Sequence, residues 1–360
     1  MPSVILVAGG AGFVGSSLAL RLRAAYPDAR IVAADNLRRR GSEWNLPRLA
    51  AAGIEFVHAD IRRPDDLAFA KTRFDLVVDC SAEPSVLAAY GSGPAYVIDT
   101  NLTGTVNLLE LARRDGADVV FLSTSRVYPV RRLEAIAFEE HETRFAIAGE
   151  QTLPGVSAAG IAEDFPLDGA RSLYGTTKLA CELILTEYAD MYGLRTIVNR
   201  CGVIAGPWQM GKADQGVFAL WMAHHYFKKP LSYIGYGGTG KQVRDLVAVD
   251  ELADLVLHQI ASLESPSQPV YNVGGGLASS LSLAEATALC QEITGNRIEI
   301  ARVPENRPSD VRLYVTDNAR VNADTGWSPR KTPRETLADI FAWIRDNERL
   351  VAPLWTRPDL

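Results

Sequence analysis

Val4-Ile5-Leu6-Val7-Ala8-Gly9-Gly10-Ala11-Gly12-Phe13-Val14-Gly15 is the stretch that decides the fold of this 360-residue chain. Its four leading apolar residues, mostly β-branched, predict a short buried strand, and the glycines then turn the chain into a helix that starts near Phe13. Gly10, Gly12 and Gly15 fit the spacing G-x-G-x-x-G, while Gly9, Gly12 and Gly15 fit the wider G-x-x-G-x-x-G. Either spacing sets bare backbone amides at a helix N-terminus, where aligned peptide dipoles favour a pyrophosphate. A second apolar run, Arg30 to Ala34, ends in Asp35, an acid placed to accept both hydroxyls of an adenosine ribose. Strand, glycines, helix, strand and acid in that order predict a dinucleotide site in which Gly9, Gly12, Phe13, Val14 and Gly15 meet the phosphates.

Beyond Asp35 the segment Asn36-Leu37-Arg38-Arg39-Arg40-Gly41 is either a solvated loop or a clamp on the adenosine end, with Asn36 and Arg38 nearest. Arginines there can hold the 2′-phosphate of NADP, but Asp35, at the strand end itself, repels it, so NAD is the expected cofactor. Ile54 to His58 predicts a third strand, and Asp60-Ile61 after it touches the adenine or, as the more ordinary role for the acid, caps the next helix. Leu76 to Cys80 predicts a fourth strand whose exit, Ser81-Ala82-Glu83-Pro84, passes beneath the cofactor. Pro94 to Arg114 predicts one long helix, Asp118 to Leu122 a fifth strand delivering Ser123-Thr124-Ser125-Arg126, Tyr174 to Tyr192 a second long helix, and Arg195 to Arg200 a sixth strand. The irregular Arg131 to Arg171 between them is too long for a plain connector and is expected to be a lid or substrate loop.

This alternation predicts an α/β fold, a Rossmann-type doubly wound parallel sheet. After Cys201 shorter elements broken by Gly and Pro predict a smaller C-terminal α/β domain, while Val243 to Asp250 with the following helix reads as a return to the large sheet. The expected division is therefore 1–200 with 241–262 for the dinucleotide and 201–240 with 263–360 for the substrate.

With 47% hydrophobic residues and a net charge of −6, the chain has no basic face calling for nucleic acid. There is no apolar run of about 18 residues for a membrane span and no leader pattern after Met1, so a cytoplasmic protein with small-molecule partners is expected. Cys80, Cys181, Cys201 and Cys290 are far apart and no histidines cluster, which predicts buried inert thiols and no metal site.

Tyr174 and Lys178, spaced i and i+4, project from one helix face. A free phenol has a pKa near ~10, but a neighbouring ammonium and a cationic nicotinamide stabilise the phenolate as a base. Such a pair alone occurs often on surface helices. Here it follows a dinucleotide unit, and the strand before it ends at Thr124, whose hydroxyl can bond the same substrate oxygen.

On these residues the chain resembles the extended short-chain dehydrogenase/reductase family, specifically its nucleotide-sugar epimerases and dehydratases. The resemblance also rests on Asn101-Leu102-Thr103-Gly104-Thr105, Ser123-Thr124 with Val127-Tyr128, Arg244-Asp245 and Arg307-Pro308-Ser309-Asp310-Val311-Arg312. It implies a catalytic trio of Thr124, Tyr174 and Lys178; further NAD contacts at Asp60, Ile61, Ser81, Ala82, Asn101 and Ser123; and Arg244 and Arg312 near a nucleotide diphosphate, a role guanidinium forks suit. It also implies a homodimer through helices 94–114 and 174–192. Dehydratases of the family place an Asp-Glu pair, and its decarboxylases a Glu, just after the catalytic Thr; this chain has Ser125-Arg126 there. Gln209, Asp214-Gln215-Gly216 and Gly240 to Asp245 look like the CDP-paratose 2-epimerase (CDP-tyvelose epimerase) branch, and Glu83, Thr124, Ser125, Arg126, Gln209 and Gln215 are the further substrate contacts expected. Glu83-Pro84, Pro129 and Ala205 depart from that branch. The resemblance therefore implies epimerisation of a nucleotide sugar by transient oxidation of a carbinol, at carbon 2 of a CDP-deoxyhexose or, as the alternative, carbon 4 of a UDP-hexose. A reductase consuming NADPH and a non-catalytic dinucleotide sensor are the remaining rivals.

Overall fold

A computed structural model describes residues 1–69, 72–90, 93–211, 216–263 and 268–356; Gln215 lies outside them. Seven strands, β1 (Val4–Ala8), β2 (Arg30–Asp35), β3 (Glu55–His58), β4 (Leu76–Asp79), β5 (Asp118–Thr124), β6 (Thr196–Cys201) and β7 (Val270–Val273), form one sheet in the order β7-β6-β5-β4-β1-β2-β3. Every neighbouring pair is parallel. Parallel strands need crossovers that cover both faces, which is why β1 reads as an unbroken apolar run rather than an alternating one.

Helices α1 (Phe13–Ala25), α2 (Gly104–Asp115), α3 (Leu173–Tyr192) and α4 (Val249–Ala261) supply the cover. On one face Leu18 and Leu22 of α1 and Leu252 and Val256 of α4 pack on Ile5, Val7 and Val78. On the other, Leu108 and Leu109 of α2 and Cys181 and Leu185 of α3 pack on Leu6, Val77 and Val119. Cys201 and Cys290 are likewise buried and free, as the sequence suggests, whereas Cys80, also free, is only partly buried, just past the end of β4. The chain order reverses between β1 and β4, and the carboxyl ends of the strands at such a reversal leave the crevice in which open sheets bind ligands.

Three expectations are corrected. Val243–Ala248 does not return to the large sheet: it pairs with Val203–Ala205, Ser280–Ser282 and Leu313–Tyr314 in a second, four-stranded sheet. The seventh strand of the large sheet is instead Val270–Val273, inside the stretch assigned to the smaller unit, because α4 forms the crossover that lays it on the open edge of β6. The helix expected over 94–114 is interrupted by a π turn at Asp99–Thr103.

The segment 131–171 is tied down rather than free. It contains a hairpin, Phe138–Glu140 with Phe145–Ile147, and Ile161 bonds both ways to Val315 and Asp317. Phe145, Ile161 and Phe165 share a core with Tyr128, Val311 and Tyr314.

Candidate functional site

A cavity of about 650 Å³ opens at the carboxyl ends of β1, β2, β4, β5 and β6. Gly9, Gly12, Phe13, Val14 and Gly15 line its floor, Asp35, Asn36, Arg38 and Ile61 one end, and Ser81, Ala82, Glu83, Ser123, Thr124, Ser125, Arg126, Tyr174 and Lys178 the other. The glycine turn is closed so tightly that a Cβ on Gly15 would stand 2.1 Å from the Gly9 carbonyl oxygen. Gly12 caps α1 without a side chain, and no acid occupies the first turn. The helix's first amides and its positive dipole end are therefore left for an anion, as a pyrophosphate requires.

At the adenosine end the Asp35 carboxylate accepts N–H groups from Ala11 (3.1 Å) and Leu37 (2.8 Å). Burial raises its pKa, and those amides with that of Gly12 oppose the rise. Two carboxylate oxygens, each with capacity to spare, fit a pair of ribose hydroxyls and exclude a phosphate. Arg38 lies over the Tyr96 ring, 4.1 Å from its centroid. Asp60 is not in the lining: its carboxylate accepts from Arg62 (2.5 Å) and Asn36 (3.3 Å) and from the Arg62 N–H (3.0 Å), and the Arg62 side-chain bond holds its pKa down to about 2. It braces the loop while Ala59 and Ile61 line the cavity.

At the opposite end the α3 N-terminus is pressed onto the turn leaving β5. A Cβ on Gly175 would lie 2.0 Å from the Arg126 carbonyl oxygen, so glycine there is what lets Tyr174 reach Thr124. Both side chains line the cavity side by side. Burial raises the Tyr174 pKa, with the Lys178 ammonium the largest opposing influence and the Thr124 hydroxyl next. Lys178, 2% exposed, donates to the Ser81 carbonyl at 3.4 Å and sits 4.3 Å from the Phe121 ring centroid. Asn101 stands behind the cavity in the π turn, its amide donating to Thr177 Oγ1 (3.1 Å) and the Glu83 carbonyl (3.2 Å), its Oδ1 accepting the Glu83 N–H (2.7 Å). Thus the extra backbone residue of the bulge turns Asn101 inward to set the Ser81-to-Pro84 exit. Ser123 Oγ donates to the buried Glu182 at 2.5 Å.

A second cavity, about 660 Å³, adjoins the first through Arg126 and Val203. Phe218, Trp221, Leu281 and Leu283 give it an apolar wall, and Arg244, Arg307 and Asp310 a charged end. Arg244 donates to Asp310 Oδ1 (2.8 Å) and the Val311 carbonyl (2.7 Å). Arg312, by contrast, is in neither lining: its guanidinium lies 4.0 Å from the Phe138 ring centroid, between that ring, Phe145 and Tyr236, and 3.6 Å from Glu134. The hairpin that the sequence reading left shapeless captures it by cation–π attraction. Arg307 is the second arginine of this cavity; its signal was the Arg-Pro pair, overlooked for the last arginine of the same motif. Gln209 lines the first cavity rather than the second and donates to the Ile204 carbonyl at 2.9 Å.

A model of the NAD dependent epimerase/dehydratase family matches residues 5–274. The chain is 29% identical to the CDP-paratose 2-epimerase of Salmonella typhi, covering 94% of this chain and 98% of that one. It is 30% identical to the dTDP-glucose 4,6-dehydratase of Neisseria meningitidis serogroup B, covering 96% and 94%. The crystal structure of the Thermus thermophilus UDP-glucose 4-epimerase complex with NAD superposes with a TM-score of 0.75 at 28% identity, covering 95% of this chain and 99% of that one.

Proposed function

Because the chain belongs to the NAD dependent epimerase/dehydratase family, we propose that it inverts a carbinol carbon of a nucleotide sugar by transient oxidation, with Tyr174 taking and returning the hydroxyl proton. The observation that carries inversion over elimination is the turn after Thr124. Ser125 and Arg126 follow it, and the carboxylates lining the cavity among the described residues are Asp35, at the adenosine end, and Glu83, whose Oε1 accepts the Ser85 N–H at 3.2 Å.

Bound NAD supplies a reversible acceptor for the carbon-bound hydrogen. Asp35 takes the ribose hydroxyls and the amides at the start of α1 the pyrophosphate. Thr124 bonds the reacting oxygen and fixes it against the phenol. Tyr174 withdraws the hydroxyl proton as carbinol becomes ketone, and the Lys178 ammonium beneath it lowers the cost of the phenolate. Arg244 and Arg307 anchor the diphosphate while the keto sugar turns. Tyr174 then gives the proton back to the oxygen, now carried on the inverted carbon.

Carbon 2 of a CDP-linked deoxyhexose, of the CDP-paratose/CDP-tyvelose type, is the specific reaction proposed, supported by full-length likeness to the Salmonella typhi enzyme. Carbon 4 of a UDP-hexose is the second reading, supported by likeness to the Thermus thermophilus structure. The large sheet is assigned to the dinucleotide and the second cavity, with the segments after β6 that wall it, to the sugar nucleotide. Leu183, Met191 and Tyr192, 63%, 64% and 48% exposed on α3, support a homodimer through α2 and α3. No helix among the described residues is long and apolar enough to cross a membrane; the reading places the enzyme in the cytoplasm. The test is turnover against CDP-, UDP- and GDP-sugars deuterated at the candidate carbon. Retained label without solvent deuterium at the inverted carbon is expected; solvent label there, or loss of water from the sugar, overturns the reading.

A further inference from the structure

The three-residue turn after β5, Ser125–Val127, carries two chemically different groups on one short piece of backbone. Thr124, its N-cap, accepts the Arg126 N–H at 3.2 Å while its side chain meets Tyr174. Two residues on, the Arg126 side chain lines both cavities and so forms part of the wall they share. Its Nη1 donates to the Ser309 carbonyl at 3.2 Å. Arg244 grips the next two residues of the same segment, Asp310 through its carboxylate and Val311 through its carbonyl. The two guanidiniums therefore bracket one short turn of chain.

The charges there do not balance. Asp310 is already paired with Arg244 at 2.8 Å, and among the described residues no carboxylate pairs with Arg126. Burial, with Arg244 next in importance, pushes the Arg126 guanidinium down to about 10 against the smaller pull of the Asp310 carboxylate. A buried cation beside another cation is costly unless an anion completes the set. Within the nucleotide-sugar reading, on which the assignment rests, the order along the walls is decisive: Arg244 and Arg307 line only the second cavity, Tyr174 and Lys178 only the first, and Arg126 both. We propose that Arg126 is a specificity-determining residue that holds the phosphate nearer the sugar, leaving the phosphate nearer the nucleoside to Arg244 and Arg307, and so sets the sugar's reacting edge against Tyr174. Its planar fork suits two phosphate oxygens.

The test is calorimetric binding of CMP against CDP, with UMP against UDP in parallel, to NAD-loaded wild type and Arg126→Met. The expected result is a loss of affinity of about ten- to a hundredfold for the diphosphates and none beyond twofold for the monophosphates, which lack the second phosphate. Arg126→Lys, which keeps the charge but not the fork, should fold in any event and show a smaller loss of the same selectivity. Equal weakening of mono- and diphosphates overturns the assignment, since Arg126 would then only prop the 309–311 turn. So does unchanged binding of both. Because binding is read without turnover, the epimerase reading can fail separately from this one.

Discussion

Thr124 and Tyr174 meet at one wall of the cavity although one ends a strand and the other opens a helix far along the chain, with Lys178 the strongest influence opposing burial of the phenol. Burial weakens the phenol as an acid, and the ammonium is the largest influence working against it. Lys178→Met removes the larger lowering influence, so the Tyr174 pKa rises further; the acid limb of the kcat/KM profile, which follows phenolate formation, should move to higher pH and the neutral-pH rate fall. Tyr174→Phe should lose about 10²- to 10⁴-fold in turnover with retained fold and bound NAD. A limb that does not move in Lys178→Met removes Lys178 from the titration.

Cofactor choice is read at Asp35. Its carboxylate accepts two amides and has no cationic partner in an ion pair among the described residues. Apoprotein should bind NAD at least about tenfold more tightly than NADP, the equivalent of about 1.4 kcal/mol. Asp35→Ala should weaken NAD with an unchanged melting temperature. Tighter binding of NADP by wild type would hand control of this end to Arg38 and its neighbours.

The two arginines proposed from the sequence should now part company. Arg244→Ala should raise the sugar-nucleotide KM about ten- to a hundredfold, as loss of a charge-assisted contact does. Arg312→Ala should leave that constant within severalfold and instead lower the melting temperature, because it empties the space between Phe138, Phe145 and Tyr236. Steady-state kinetics and thermal melts on both variants decide it; a reversed pattern would return Arg312 to the diphosphate.

Arg200 grips Glu182 through bonds of 2.7 to 3.2 Å, with side chains 7% and 5% exposed. Removing one partner of a buried pair strands the other charge, so Glu182→Ala should cost about 3 to 5 kcal/mol in urea unfolding. A loss under about 1 kcal/mol would mean water reaches the site.

How much of this was legible depended on range. The glycine turn, Asp35 and the Tyr174–Lys178 pair were readable because each is set by residues within a turn or two of one another. Strand Val243–Ala248 was recognisable as a strand, but its partners were not, since an apolar run says nothing about which edge is open when it arrives. Arg312 could not be told from Arg307 by charge; only the aromatic hairpin, distant in sequence, separates them. The π turn that faces Asn101 inward leaves no mark in a helical apolar stripe.

The late arrival of β7 has a consequence for synthesis. Translation proceeds at about 5 to 20 residues per second, and β6 is complete long before Val270–Val273 can leave the ribosome. On the order of seconds, the nascent sheet shows the outer edge of β6 bare, a row of unpaired amides and carbonyls inviting any extended peptide nearby. The intervening chain meanwhile supplies only Val203–Ala205 and Val243–Ala248 of the second sheet, together with the crossover helix. Premature termination in that interval leaves a sticky fragment rather than a small working dinucleotide binder, and chaperone demand should peak there.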